Sequence, residues 1–146
     1  LSRVRTKLAL TAADVRQIAA ACRAEAERNG WAVTIAIVDD GGHLMHLERL
    51  DARITTLDVA IRKARTAALS RMPTLAMEQR ARANPVLLAL DSLPLQGGLP
   101  LEHAGEFLGG IGVSGVLAPQ DEQVAGAGVA ALAALSARPD AAPSPG

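Results

Sequence analysis

At 146 residues the chain has the size of one domain and is long enough to bury a core. Apolar residues make up 49% of it, yet there is one Phe, one Trp and no Tyr, which argues against the aromatic stacking surfaces of single-stranded nucleic-acid binders. Fifteen basic residues balance fifteen acidic ones, so no global field draws the protein to nucleic acid or to an anionic membrane, and neither is expected as a partner.

No apolar run approaches the ~20 residues of a membrane span. The opening segment, LSRVRTKLALTAAD, lacks the apolar core of a secretory signal, and its initial Leu leaves room for a piece upstream. A single cysteine, Cys22, excludes an internal disulfide framework. A cytoplasmic location is the expectation.

Thr11-Ala-Ala-Asp14 opens the first helix with a polar N-cap and a carboxylate three residues on. Val15, Ile18, Ala19, Cys22 and Ala26 then fall on one stripe, and Gly30 ends the helix. Cys22, mid-stripe, reads as a small buried hydrophobe. The next stretch, Val33 to Arg49, is two apolar-rich runs flanking Gly41-Gly42, a dipeptide suited to a tight hairpin turn. With those glycines as a two-residue turn, Asp40 lies opposite His43, His46 opposite Ile37 and Glu48 opposite Ile35. Strand parity then sends His43 and His46 to opposite faces, so they cannot share a metal ion. No H-x-H, H-x-x-x-H or C-x-x-C spacing appears, and no metal is expected.

Thr55-Thr-Leu-Asp58 repeats the helix-start signature, and Leu57, Ala60, Ile61, Ala64, Ala67 and Ala68 form the buried face of a second helix. Asp58 and Arg62 make an exposed pair at i,i+4. Lys63 sits on the flank of this helix, either solvated or reaching over the sheet edge to an anionic ligand. Met72-Pro73 breaks the helix; Thr74 caps a third, which Asn84-Pro85 stops. A short helical turn and an ordered loop follow, where Gly97-Gly98 offers backbone N–H groups either to a plain turn or to a carboxylate.

Leu101-Glu102 and Glu106 to Val116 read as a second hairpin turning at His103-Ala104-Gly105. Its second strand carries Gly110-Ile-Gly112-Val-Ser-Gly115, a match to G-x-G-x-x-G. The glycines lie within the strand rather than in a turn opening a helix, which is not the dinucleotide arrangement. Alternation puts Gly110, Gly112 and Ser114 on one nearly bare face, which marks close packing of the last helix or a subunit, or else the floor of a ligand site. Pro119-Gln120 begins the last, alanine-rich helix. The order α-β-β-α-α-β-β-α predicts an α+β domain over residues 8–137: a single antiparallel sheet of two hairpins with helices packed on it. Residues 138–146, RPDAAPSPG, read as a disordered tail.

Several of these segments, taken in order, are family motifs. VDDGGHL (38–44), ER followed by LD (48–51), KARTA (63–67), GGLPL (97–101), GGIGVSG (109–115) and PQDE (119–122) resemble the GlcG/HbpS-like family, also found as the C-terminal part of PduO-type proteins. The resemblance covers roughly residues 8–136. It implies a five-stranded or similar antiparallel sheet in homo-oligomers (dimers, tetramers or octamers). Some members bind haem or sense redox stress, and one branch is similar to enzymes acting on small hydroxylamino-aromatic acids. Haem is therefore the candidate cofactor, and with no histidine in the first helix the axial ligand falls to His43, His46 or Met72.

Three readings stand. The first is a homo-oligomer binding haem or a small anionic ligand. The second is a lyase- or isomerase-type enzyme acting on a small carboxylated aromatic or hydroxy acid, with His43 or His46 as acid–base group and Glu48 as its orienter. There Arg49, Arg53 and Lys63, with Gly97, Gly98 and Ser114, would hold the ligand. The third is a non-catalytic assembly domain.

Overall fold

The computed structural model describes residues 3–136; the tail expected over 138–146 lies outside them. The elements are α1 (Ala12–Asn29), β1 (Thr34–Asp39), β2 (Leu44–Arg49), α2 (Thr56–Ser70), α3 (Thr74–Ala83), a 3-10 turn (Pro85–Ala89), β3 (Gly98–His103), β4 (Glu106–Ser114) and α4 (Ala118–Ser136). The expected order and α+β class hold. The described residues form four strands, where the resemblance implied five or a similar number, all antiparallel, in the spatial order β2-β1-β4-β3.

The first helix starts as its sequence dictates. The Asp14 N–H donates to Thr11 Oγ1 at 3.1 Å and the Thr11 N–H to Asp14 Oδ2 at 3.0 Å, a complete capping box with Asp in place of the usual Glu. Gly30 closes the helix in the left-handed region at φ 68°. The predicted stripe of Val15, Ile18, Ala19, Cys22 and Ala26 is the buried one. It packs, together with Val124 and Leu132 of α4, on the sheet face built by Ile35, Ile37, Leu101, Ile111 and Val113.

The other face belongs to α2. Ala36 and Val38 of β1 meet Ala60, Ala64 and Ala68 there. The bare glycine face of β4 lies under the same helix. A Cβ at Gly110 would run into the Ala64 carbonyl oxygen and one at Gly112 into the Ala60 carbonyl oxygen, so α2, not the last helix, is what the glycines admit. A tight seam of backbone against backbone results.

Four local expectations are corrected. Thr55 is helical (φ −65°, ψ −21°) and caps nothing with its side chain; Thr56 instead donates its hydroxyl to the Arg53 carbonyl at 2.6 Å. Thr74 is not a cap either, because its Oγ1 accepts the Gly98 N–H at 2.8 Å, tying α3 to β3. β3 begins at Gly98 rather than Leu101, so Gly97-Gly98 is a buried strand start instead of an exposed loop. The second hairpin turns on Ala104 and Gly105 alone, both at positive φ (51° and 78°), with His103 already paired to Glu106 in the ladder.

Candidate functional site

The β1–β2 hairpin carries the histidines, and its register holds a surprise. Ile35 pairs with Glu48 and Ile37 with His46, as a two-residue turn requires, but Val38 then pairs with Leu44. Met45 is the extra residue of a β-bulge. The bulge makes Asp39 the partner of His43, not Asp40: the Asp39 N–H donates to the His43 carbonyl at 2.9 Å. Cross-strand partners share a face, and so do residues two apart along a strand. His43, opposite Asp39, and His46, opposite Ile37, therefore project to the same face. The alternation that would set them on opposite faces is broken at Met45.

Each histidine has its own surroundings. Asp39 Oδ1 accepts the backbone N–H groups of Gly41 and His43, each at 2.9 Å, and lies 3.2 Å from His43 Nδ1. Partial burial pushes the Asp39 carboxyl up, but the two N–H donors and the His43 ring prevail and hold it below its usual value. With Nδ1 facing the carboxylate, the imidazole leaves Nε2 free on a side chain 82% exposed. His46 is the opposite case: its Nε2 is buried, has no hydrogen-bond partner among the described residues and lies 3.8 Å from Glu48 Oε1. Glu48 in turn is gripped by Arg23 of α1, whose Nε is 3.0 and 2.9 Å from its two oxygens.

The remaining predicted residues divide into two places. Arg49, exposed at the end of β2, pairs with Thr34, which pairs with Ser114, so the three form one row across the sheet on the α2 side. Arg53 is exposed in the connector beyond. Lys63 is elsewhere and is not solvated. Its Nζ is buried, 3.0 Å from the Val113 carbonyl oxygen and 3.2 Å from Asp121 Oδ2. A Cβ at Gly97 would sit 2.7 Å from that ammonium, so Gly97 clears its path. Burial pushes the Asp121 carboxyl up, outweighing Lys63 and the Val116 N–H that both favour its charge. Thus Lys63, Gly97 and Gly98 come together, but inside the protein, where the Gly98 N–H is already taken by Thr74.

Sequence reasoning passed over three partners: Asp39 for His43, Arg23 for Glu48 and Asp121 for Lys63. Asp121 left a signal, as an acid in the first turn of a helix otherwise rich in alanine. Cys22 is fully buried, its thiol pushed up to about 12 by burial, as a structural cysteine should be. Among the described residues no group of three or more His, Cys, Asp or Glu is placed to hold a metal ion, and no helix is long and apolar enough to cross a membrane.

The model of the family described as haem degrading protein HbpS-like matches residues 10–130. The chain belongs to the HbpS-like family. It is 40% identical over 115 residues to Protein GlcG of Escherichia coli strain K12, covering 76% of this chain and 85% of that one. Among solved structures, a double variant of HbpS from Streptomyces reticuli superimposes with a TM-score of 0.82 at 34% identity, covering 89% of this chain and 93% of the other. A PduOC–heme complex gives a TM-score of 0.78 at 27% identity, with coverages of 85% and 95%. GlcG/HbpS-like membership, expected from the motifs, is thereby established.

Proposed function

We propose that this HbpS-like protein binds haem, or a small anionic ligand, as a homo-oligomer, with the tip of the β1–β2 hairpin as the ligand-holding element. The observation that carries this reading is His43. Its Nδ1 is held by Asp39, so the exposed Nε2 is left as a lone-pair donor, as in metal-ligating histidines whose other ring nitrogen is fixed by a carboxylate. The family's description and the haem in the PduOC complex support haem as that ligand. Bound haem would contribute an iron with an open coordination position, and His43 is the side chain here fit to fill it.

Titration with hemin tests this directly. A Soret shift saturating at one haem per chain, lost in His43→Ala and kept in His46→Ala, is the expected result. No shift, or the same shift in both variants, defeats it. Assembly is supported by β2, an edge strand with Leu44, Met45 and Leu47 exposed, and sedimentation of the purified protein measures it.

A second reading has one observation of its own. The buried, unpartnered His46 Nε2 beside the Arg23-held Glu48 suits an acid–base group in a lyase or isomerase. It predicts turnover of a small carboxylated aromatic or hydroxy acid that disappears in His46→Gln but survives in His43→Ala.

A further inference from the structure

A second site lies on the outward face of α2. Residues Asp58, Arg62 and Arg65 are spaced i, i+4 and i+7 along one side of the helix, and with Asp91 and Ser92 they line a cavity of about 200 Å³. The far wall is fixed in place. The Leu93 N–H donates to Thr66 Oγ1 at 2.8 Å, and the same hydroxyl donates to the Arg62 carbonyl at 2.8 Å. Thr66 thus pins the 90–93 loop against the turn of helix that carries Arg62.

Two observations say that this cavity is short of a partner. Asp58 and Arg62 have the spacing of a surface ion pair, yet they form none within 4.0 Å, and neither do Arg65 or Asp91 among the described residues. Ser92 Oγ is buried and has no hydrogen-bond partner among the described residues. A buried hydroxyl without a partner is uncommon, and it costs free energy until something bonds it. The walls therefore hold two guanidinium groups, two carboxylates and one unfilled hydroxyl, all without an ion-pair or hydrogen-bond partner among the described residues and all bordering the same small space.

We propose that this cavity binds a small zwitterion of the α-amino acid type. Its carboxylate would be taken by the Arg62 and Arg65 guanidinium groups, which match a carboxylate in planar, two-pronged fashion. Its ammonium would lie against Asp58 and Asp91, and Ser92 Oγ would complete either end. The charge pattern selects this class. A simple anion placed here meets two carboxylates, and a simple cation meets two guanidinium groups, whereas a molecule carrying both charges satisfies all four. The volume admits only a small molecule. Arg65 borders Gly42 of the hairpin turn, so the variants that separate this site from His43 are made at Arg62 and Asp91 instead.

The test is calorimetric titration of the full chain with L-alanine, L-lactate and propionate, the three sharing size and carboxylate. Backbone amide shifts at residues 62–66 and 91–93 locate the binding. Alanine should bind at least about tenfold more tightly than lactate or propionate, each of which lacks the ammonium. Arg62→Ala and Asp91→Asn should each weaken alanine by about tenfold or more. The hemin titration should be unchanged in both variants, so failure here and failure at His43 read out separately. Equal binding of alanine and lactate, no binding at millimolar alanine, or undiminished binding in both variants overturns the proposal.

Discussion

The two faces of the sheet are packed by opposite means. On the α1/α4 side, Ile35, Ile37, Ile111 and Val113 fill space against Val15, Ile18 and Val124, and the fit depends on side-chain volume. On the α2 side there is almost no side chain to fit: Gly110 and Gly112 meet Ala60, Ala64 and Ala68, and backbones touch. The first face can lose a methyl group and relax. The second has no room to gain one. A helix held this close is a firm support for the Arg62–Arg65 side facing outward and for the hairpin tip beside Leu69.

The largest effect is expected where the two faces are tied together. Lys63 of α2 reaches Asp121 of α4, and their side chains are 5% and 4% exposed. Removing one member of such a pair strands a buried charge, so Lys63→Met should cost about 3–5 kcal/mol in urea denaturation. Lys63→Met combined with Asp121→Leu should recover most of that, because no charge is then left alone. A single-variant loss below about 1 kcal/mol would mean that water reaches the pair.

Next comes the seam itself. Gly112→Ala places a methyl group against the Ala60 carbonyl and must displace α2, at about 3 kcal/mol by the cost of overpacking. On the opposite face, Ile111→Val only removes a methylene and should cost about 0.5–1.5 kcal/mol. If the ranking of these two neighbours reverses in denaturation experiments, the contrast between the faces is wrong.

These differences mark how far the sequence could be read. The α1 stripe and its capping box were legible because they are periodic and local, and so was the pairing of Ile37 with His46. The bulge at Met45 was not, since nothing in HLMHLER distinguishes an extra residue from a regular one, and a single residue reverses every face beyond it. Lys63 was misplaced for a different reason. Helical periodicity puts a lysine outside the apolar stripe, and the features that bring it inside are Gly97 and an aspartate 58 positions away. Gly110 and Gly112 were correctly read as a close-approach face, but which helix approached depended on tertiary topology that spacing does not encode.

A smaller, local effect is expected at the hairpin tip. The Asp39 carboxyl is held below its ordinary value of 3.8 by the Gly41 and His43 N–H groups and the His43 ring. A depressed carboxyl stabilises the fold above its unfolded value, and that contribution is lost as pH falls through the lower folded value. The turn should therefore keep its structure at pH 5 and loosen below 3.8. The Gly41 and His43 amide resonances should report this before global unfolding. Amides that move only with the global transition would show that Asp39 does not organise the turn.

The smallest effect has the opposite sign and probes the side of α4 turned from the sheet. A Cβ at Gly126 meets nothing within 4 Å among the described residues, in contrast to Gly128, where it would lie 2.6 Å from Cys22 Sγ. Within one chain, Gly126→Ala should gain about 0.5–1 kcal/mol from helix propensity alone, whereas Gly128→Ala should destabilise. If Gly126→Ala instead loses stability, and loses more as protein concentration rises, then the open side of α4 is covered by another copy in solution. Gly126 would then be a close-approach glycine of the same kind as Gly110 and Gly112, with a neighbouring subunit in the place that α2 occupies there.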